Sequence, residues 1–202
     1  MIVERAPTGV TILGGDVTLA RVRVQALGLD GVKVNVIEAS PRLTATISDV
    51  SVKGAGQIGV KIDHDAGERY TVTIERVSVE ESTGSGLCVV NGPVRIRLAD
   101  IRVAGIAGIA GSDPYCATAA IRCAGDGLLL RTNSDLVELD LERFHVSGAA
   151  SSGIDVGVNV EAELKHDVVE ARAGMVYRAA GDWRDHTLDV HFDAATPVDD
   201  GR

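Results

Sequence analysis

Two glutamates, an arginine and a histidine are the residues of this chain best placed to do acid–base chemistry. With the repeated segments described below set in register, Glu75 and Glu142 share a column with Ala99 between them. Arg102 and His145 are adjacent in the next outward column. Carboxylates two strand spacings apart would stand about 9.6 Å from one another. That is near the upper end of the separation at which one protonates a glycosidic oxygen while the other activates water. The competing reading is plainer, because solvent-facing alternation places charged residues on any outward strand face.

Other groups carry less. Asp63-His64-Asp65, and Asp182, Asp185, His186 and His191 further on, hold ligand-type side chains without the spacing of a closed metal site, so no metal and no cofactor is expected. Cys88, Cys116 and Cys123 stand 28 and 7 residues apart, match no zinc or redox motif, and read as reduced thiols. Lys33 and Lys61 fall in register on one strand face, where they either touch a ligand or blunt a surface.

The elements that must position these residues repeat. The segments beginning at Val17 (VTLARVRV), Ala45 (ATISDVSV), Val72 (VTIERVSV), Ile96 (IRLADIRV) and Leu139 (LDLERFHV) are apolar at their third, sixth and eighth letters. Spacing two keeps side chains on one face of a strand. Spacing three, with two polar letters between, turns a corner while staying apolar inside. Twelve residues after the first apolar letter come Gly31, Gly59, Gly86 and Gly153, each followed by an apolar-x-apolar strand. These glycines are expected to enter that strand with a positive φ. The repeats advance by 28, 27, 24 and 43 residues, and segments of this length with three strands and no helix describe a parallel β-helix. The expectation is one all-β domain over residues 1–202, with about six coils of three short strands each. Coils are regular over about 9–160, an insertion occupies 104–120, and 161–202 form an irregular coil or cap.

Within that frame the corner residues read Arg21, Asp49, Arg76, Asp100 and Arg143, a column of alternating charge that would pair across coils and set register. Ile106, Ile109 and Tyr115 make the insertion apolar and are candidates for an interface if exposed. Tyr177, Trp183 and Phe192 suit a cap on the last coil. Few residues precede the first coil, so a partner is expected on that open end.

Composition sets bounds. The 202 residues are 45% hydrophobic but only 3% aromatic, so the core must be aliphatic, as stacked strands permit. A net charge of -9 disfavours nucleic acid and anionic membrane as partners. The start of the chain lacks a signal-peptide profile and no long apolar run crosses a membrane, which suggests cytoplasmic synthesis without membrane insertion.

The repeat pattern over roughly 9–160 resembles the right-handed parallel β-helices of the pectate-lyase-like superfamily, which includes polysaccharide lyases, glycoside hydrolases and phage tailspikes. The right hand is implied by that resemblance and agrees with the usual hand of parallel crossovers. The hydrolases carry Asn-Thr-Asp, Asp-Asp, Gly-His-Gly and Arg-Ile-Lys clusters, and the lyases carry calcium-binding aspartates with an arginine. In the repeat region only Arg95-Ile96-Arg97 echoes any of them. The resemblance therefore implies a non-catalytic structural or recognition module like those of phage tail appendages. It would be virion-associated, would self-associate as a trimer or dock on a larger assembly, and would offer a surface for a glycan. The alternative is a lyase, glycoside hydrolase or epimerase using Glu75, Arg102, Glu142 and His145.

Overall fold

A computed structural model describes residues 1–14, 16–25, 28–36, 43–64, 70–90, 93–108, 125–131, 137–156, 160–177, 184–193 and 196–199. Among them every element is a strand: β1 (Ile2–Glu4), β2 (Val10–Gly14), β3 (Val17–Gln25), β4 (Val32–Val36), β5 (Leu43–Lys53), β6 (Val60–His64), β7 (Tyr70–Glu80), β8 (Leu87–Val90), β9 (Pro93–Ile106), β10 (Leu128–Arg131), β11 (Val137–Val156), β12 (Val160–Tyr177), β13 (Arg184–Asp193) and β14 (Thr196–Asp199). The long strands stack as β1-β3-β5-β7-β9-β11, and the sheet returns through β10-β8-β6-β4-β2, every pairing parallel. Each coil is thus a long strand bent at its middle plus one short strand, the winding of a right-handed parallel β-helix.

The pattern of the sequence decides which side chains go in. In β7 burial alternates up to the bend and resumes in the same sense after it, because two residues, Glu75 and Arg76, sit between the inward Ile74 and Val77. Like residues then stack on like: Leu19, Ile47, Ile74, Leu98 and Leu141 form one inner column and Val24, Val52, Val79, Val103 and Val146 another. Beta-branched chains suit such columns, since they pack against their cross-strand copies with little loss of rotamer freedom.

The bend itself is made by backbone. Arg21, Asp49, Arg76, Asp100 and Arg143 all have φ between 53° and 57°. A second left-handed corner stands at Gly54 and Glu81, just past β5 and β7, and at Gly105 and Gly148, within β9 and β11. The glycines that lead into the short strands differ from expectation, since Gly31, Gly59, Gly86 and Gly153 are not among the residues of positive φ. Space requires them instead. A Cβ on Gly31, Gly59 or Gly86 would lie 2.5, 2.6 or 2.7 Å from the carbonyl oxygen of the next glycine in the column. Gly127 is the fourth member, its imagined Cβ 2.6 Å from the Gly153 carbonyl.

Six residues separate β3 from β4, β5 from β6 and β7 from β8, but twenty-one separate β9 from β10. Past β11 the stacking continues through β12, β13 and β14, with register shifts between β12 and β13. Asp167 is buried there, and its Oδ1 accepts a hydrogen bond from the Phe144 N–H at 2.7 Å. Trp183 and the side chains of Tyr177 and Phe192 lie outside what the structure describes.

Candidate functional site

Outward residues at the bend form a lattice of ion pairs. Arg76 reaches back one coil to Asp49, with Nε donating to Oδ1 at 2.7 Å and Nη2 to Oδ2 at 3.2 Å. Arg143 does the same to Asp100, at 2.5 and 3.0 Å. These bidentate bonds hold the Asp49 and Asp100 carboxyls below their ordinary range, and each arginine is held more firmly protonated in return. All four side chains are largely exposed, so solvent screens the pairs and their main effect is on register.

Glu75, Ala99 and Glu142 occupy one column, and Arg102 pairs with His145 in the next outward one. Both glutamates are engaged by that lattice. Glu75 Oε2 accepts from Arg76 Nη1 at 3.1 Å. Glu142 accepts from Arg143 Nη1 and lies 3.8 Å from Arg97 Nη2. Arg95 and Glu138 add a further rung at 3.4 Å. Arg102 and His145 are exposed, without an ion-pair partner among the described residues. Arginine and histidine side by side offer hydrogen-bond donors to an anionic or hydroxylated ligand, while the carboxylates beside them are tied to guanidinium groups.

Ile106 is corrected by the structure. It ends β9, pairs with Ala149 and is 1% exposed, so it belongs to the core and not to a surface patch. Ile109 and Tyr115 lie outside the described residues, as do Cys116, Cys123, Asp65 and Asp182. Cys88 is a buried thiol. Among the described residues no group of three or more metal-ligating side chains converges, and no helix is long and apolar enough to cross a membrane.

The feature that sequence reasoning missed is the outer face of the short strands. Ile58, Cys88, Val90 and Leu129 form a second apolar cluster there, all within 2% exposure. Lys61 and Asp63 make an ion pair of 3.3 Å beside it, only 12% and 16% exposed. Tyr70 closes the edge, its hydroxyl donating to the Val90 carbonyl at 2.9 Å. Burial pushes the Tyr70 phenol well above its ordinary range, with the nearby Asp63 and Cys88 adding to the effect. The signal was present: Leu87-Cys88-Val89-Val90 and Leu128-Leu129-Leu130 are unbroken apolar runs, which mark strands buried on both faces.

At the first coil the columns change character. Ile2 heads an outward column that continues Arg23, Ser51, Ser78, Arg102, and Leu13 one that continues Asn35, Asp63. Both are apolar where their successors are mostly polar, and they are 66% and 62% exposed. Comparison of the chain with known protein families, curated proteins and solved structures finds no match.

Proposed function

We propose that the chain is a non-catalytic structural and recognition module, similar in kind to the β-helical segments of phage tail appendages in the pectate-lyase-like superfamily. In this reading it is virion-associated, joins copies of itself as a trimer or docks on a larger assembly, and offers its outer wall to a glycan. The observation that carries the reading is the use of the outward carboxylates. Asp49 and Glu75 are bound by Arg76, and Asp100 and Glu142 by Arg143, each arginine tying its own coil to the one before through the aspartate. Residues deployed this way fix the stacking of a rod, whereas a glycosidase needs one carboxyl free to give up a proton and another free to attack or to activate water.

The test is mass in solution by light scattering, run beside a panel of soluble polysaccharides assayed for reducing ends and unsaturated products. A stable oligomer without turnover is the expected result, and a monomer that cleaves a glycan overturns the reading. The exposed Arg102–His145 pair favours one second reading, a lyase, hydrolase or epimerase working on the same wall. Its signature would be activity abolished in Glu142→Gln with unfolding unchanged.

A further inference from the structure

We infer that the outward column formed by Arg23, Ser51, Ser78, Arg102 and His145 binds sulfate or phosphate monoesters carried by a polysaccharide. The inference rests on the glycan surface proposed above and names the chemistry it recognises. The five residues follow one another in register on β3, β5, β7, β9 and β11. Arg23, Arg102 and His145 are exposed, and the two serines are half-buried. Neighbouring strands stand about 4.8 Å apart, so the two arginines are about 14 Å from one another, and His145 lies one strand further on. Between the arginines the short serines leave a low saddle that offers hydroxyls.

Charge singles this column out. Among the described residues it is the one outward strand column that holds bases and no acid, the others including Glu138, Asp140, Glu142, Glu80, Asp63 or Asp155. The carboxylates that flank it are already committed, Asp49 to Arg76, Asp100 to Arg143 and Glu80 to Lys53. Arg23 and Arg102 make no ion pair among the described residues. In a chain of net charge -9, two arginines and a histidine are thus kept clear of acid, and an oxyanion from outside would complete them. The shape of the donor set points to the kind of oxyanion. Ser78, Arg102 and His145 present donors from three successive strands, which suits the three free oxygens of a tetrahedral monoester better than the two of a planar carboxylate.

A polymer fits better than a single ion, because the column runs across five strands and places cationic groups at both sides of the serine saddle. Nucleic acid is the weaker candidate. The described aromatic side chains, Tyr70 and Phe144, are both buried, so among the described residues no ring stands beside the column for a base to stack on. The overall negative charge also repels a continuous phosphate backbone. The same charge makes a test discriminating, since a polyanion retained by this chain must find a local site.

The experiment titrates this chain with dextran sulfate and dextran phosphate at about 0.05 M salt, beside carboxymethyl dextran, plain dextran and a single-stranded oligonucleotide. At least one of the two esters is expected to bind, the tighter naming the group, and carboxymethyl dextran to bind about tenfold more weakly. Arg102→Gln is expected to weaken the ester about tenfold with an unchanged unfolding midpoint, since that side chain has no partner to lose. Ser78→Glu, which sets a carboxylate inside the column, is expected to abolish binding. Arg95→Gln, which removes an arginine tied to Glu138 in another column, should leave binding unchanged. Ester binding that is indifferent to Arg102→Gln, or matched by carboxymethyl dextran or by the oligonucleotide, would overturn the inference. Binding of plain dextran as tight as that of the esters would overturn it and leave glycan recognition standing. A stable oligomer that binds none of these would overturn it and leave the structural reading standing.

Discussion

Two corners of each coil depart from the usual preference for glycine in opposite directions. Where the long strand bends, arginine and aspartate hold φ between 53° and 57°, a region that residues with a Cβ disfavour. Where the chain enters the short strand, glycines stand without positive φ. The bend is open to water, so a long polar side chain can occupy it and make an ion pair with the next coil. The glycine corner is closed, since the valine of the following coil and the carbonyl of the next glycine fill the space a Cβ would take. Walls follow suit: the long wall is buried on its inner side, whereas the short wall, at β8 and β10, is buried on both. Residue choice at a corner thus reports the room available there as well as the dihedral angle.

The largest expected effect breaks the closed corner. Gly59→Ala would place a methyl 2.6 Å from the Gly86 carbonyl oxygen and against the Val79 side chain. Backbone must move to relieve it, so a loss of about 3 kcal/mol is expected in denaturant unfolding. Adding Val79→Ala removes only the side-chain part of the clash and should recover little, because the new cavity brings its own penalty. Gly28→Ala is the control. Its Cβ would lie 3.6 Å from the nearest atom, and no positive φ is needed, so stability should stay level or rise by about 0.5 kcal/mol. Equal losses at both sites would mean that glycine is required for chain flexibility and not for space.

The same contrast explains what was legible in the sequence. Five segments with apolar letters at fixed spacing disclosed the inner columns, because each inward position meets its own copy one coil away. The charged column was visible for the same reason. The left-handed φ at those charges was not, since arginine and aspartate carry no mark of it. Gly127 escaped notice because the long β9–β10 connection moved it out of step. After β11 the repeat fades for a local reason: Asp167 is buried, and β13 passes the corner with Asp189 alone where β12 uses two residues. The candidate site was legible only as columns. Register placed Glu75 near Glu142 and Arg102 near His145, but their ties to guanidinium groups depend on side-chain conformations that no spacing encodes.

An intermediate effect is expected where Tyr70, a member of the inner core, reaches the short wall at Val90. Tyr70→Phe removes a buried hydroxyl that satisfies the Val90 carbonyl and should cost about 1 to 2 kcal/mol. The tyrosine also gives this wall an alkaline limit. Its folded pKa lies above the ordinary 10.0, so the unfolded chain ionises first. The contribution of the neutral phenol is complete below pH 10 and is lost as pH rises towards the folded value. Unfolding midpoints measured from pH 9 upward should therefore fall in the wild type and fall less in Tyr70→Phe.

The smallest effect belongs to the open bend, and its sign decides whether the charged ladder serves stability or register. Asp100→Gly relieves the left-handed strain of a residue with a Cβ and at the same time deletes a solvent-screened pair with Arg143. The two changes oppose each other, so the unfolding midpoint at neutral pH should move little. The acid limb is more sensitive. Asp49 and Asp100 have folded pKa values lowered from 3.8, chiefly by the hydrogen bonds from Arg76 and Arg143. A lowered folded pKa means that the unfolded chain takes up the proton first. The contribution of the pairs is present above pH 3.8 and lost as pH falls below it towards the folded values. Replacing both aspartates by glycine should therefore flatten the acid limb below pH 4 while leaving the neutral midpoint nearly unchanged. A large neutral loss instead would show that the ladder holds the bend together, and would place the open corner alongside the closed one as a determinant of stability.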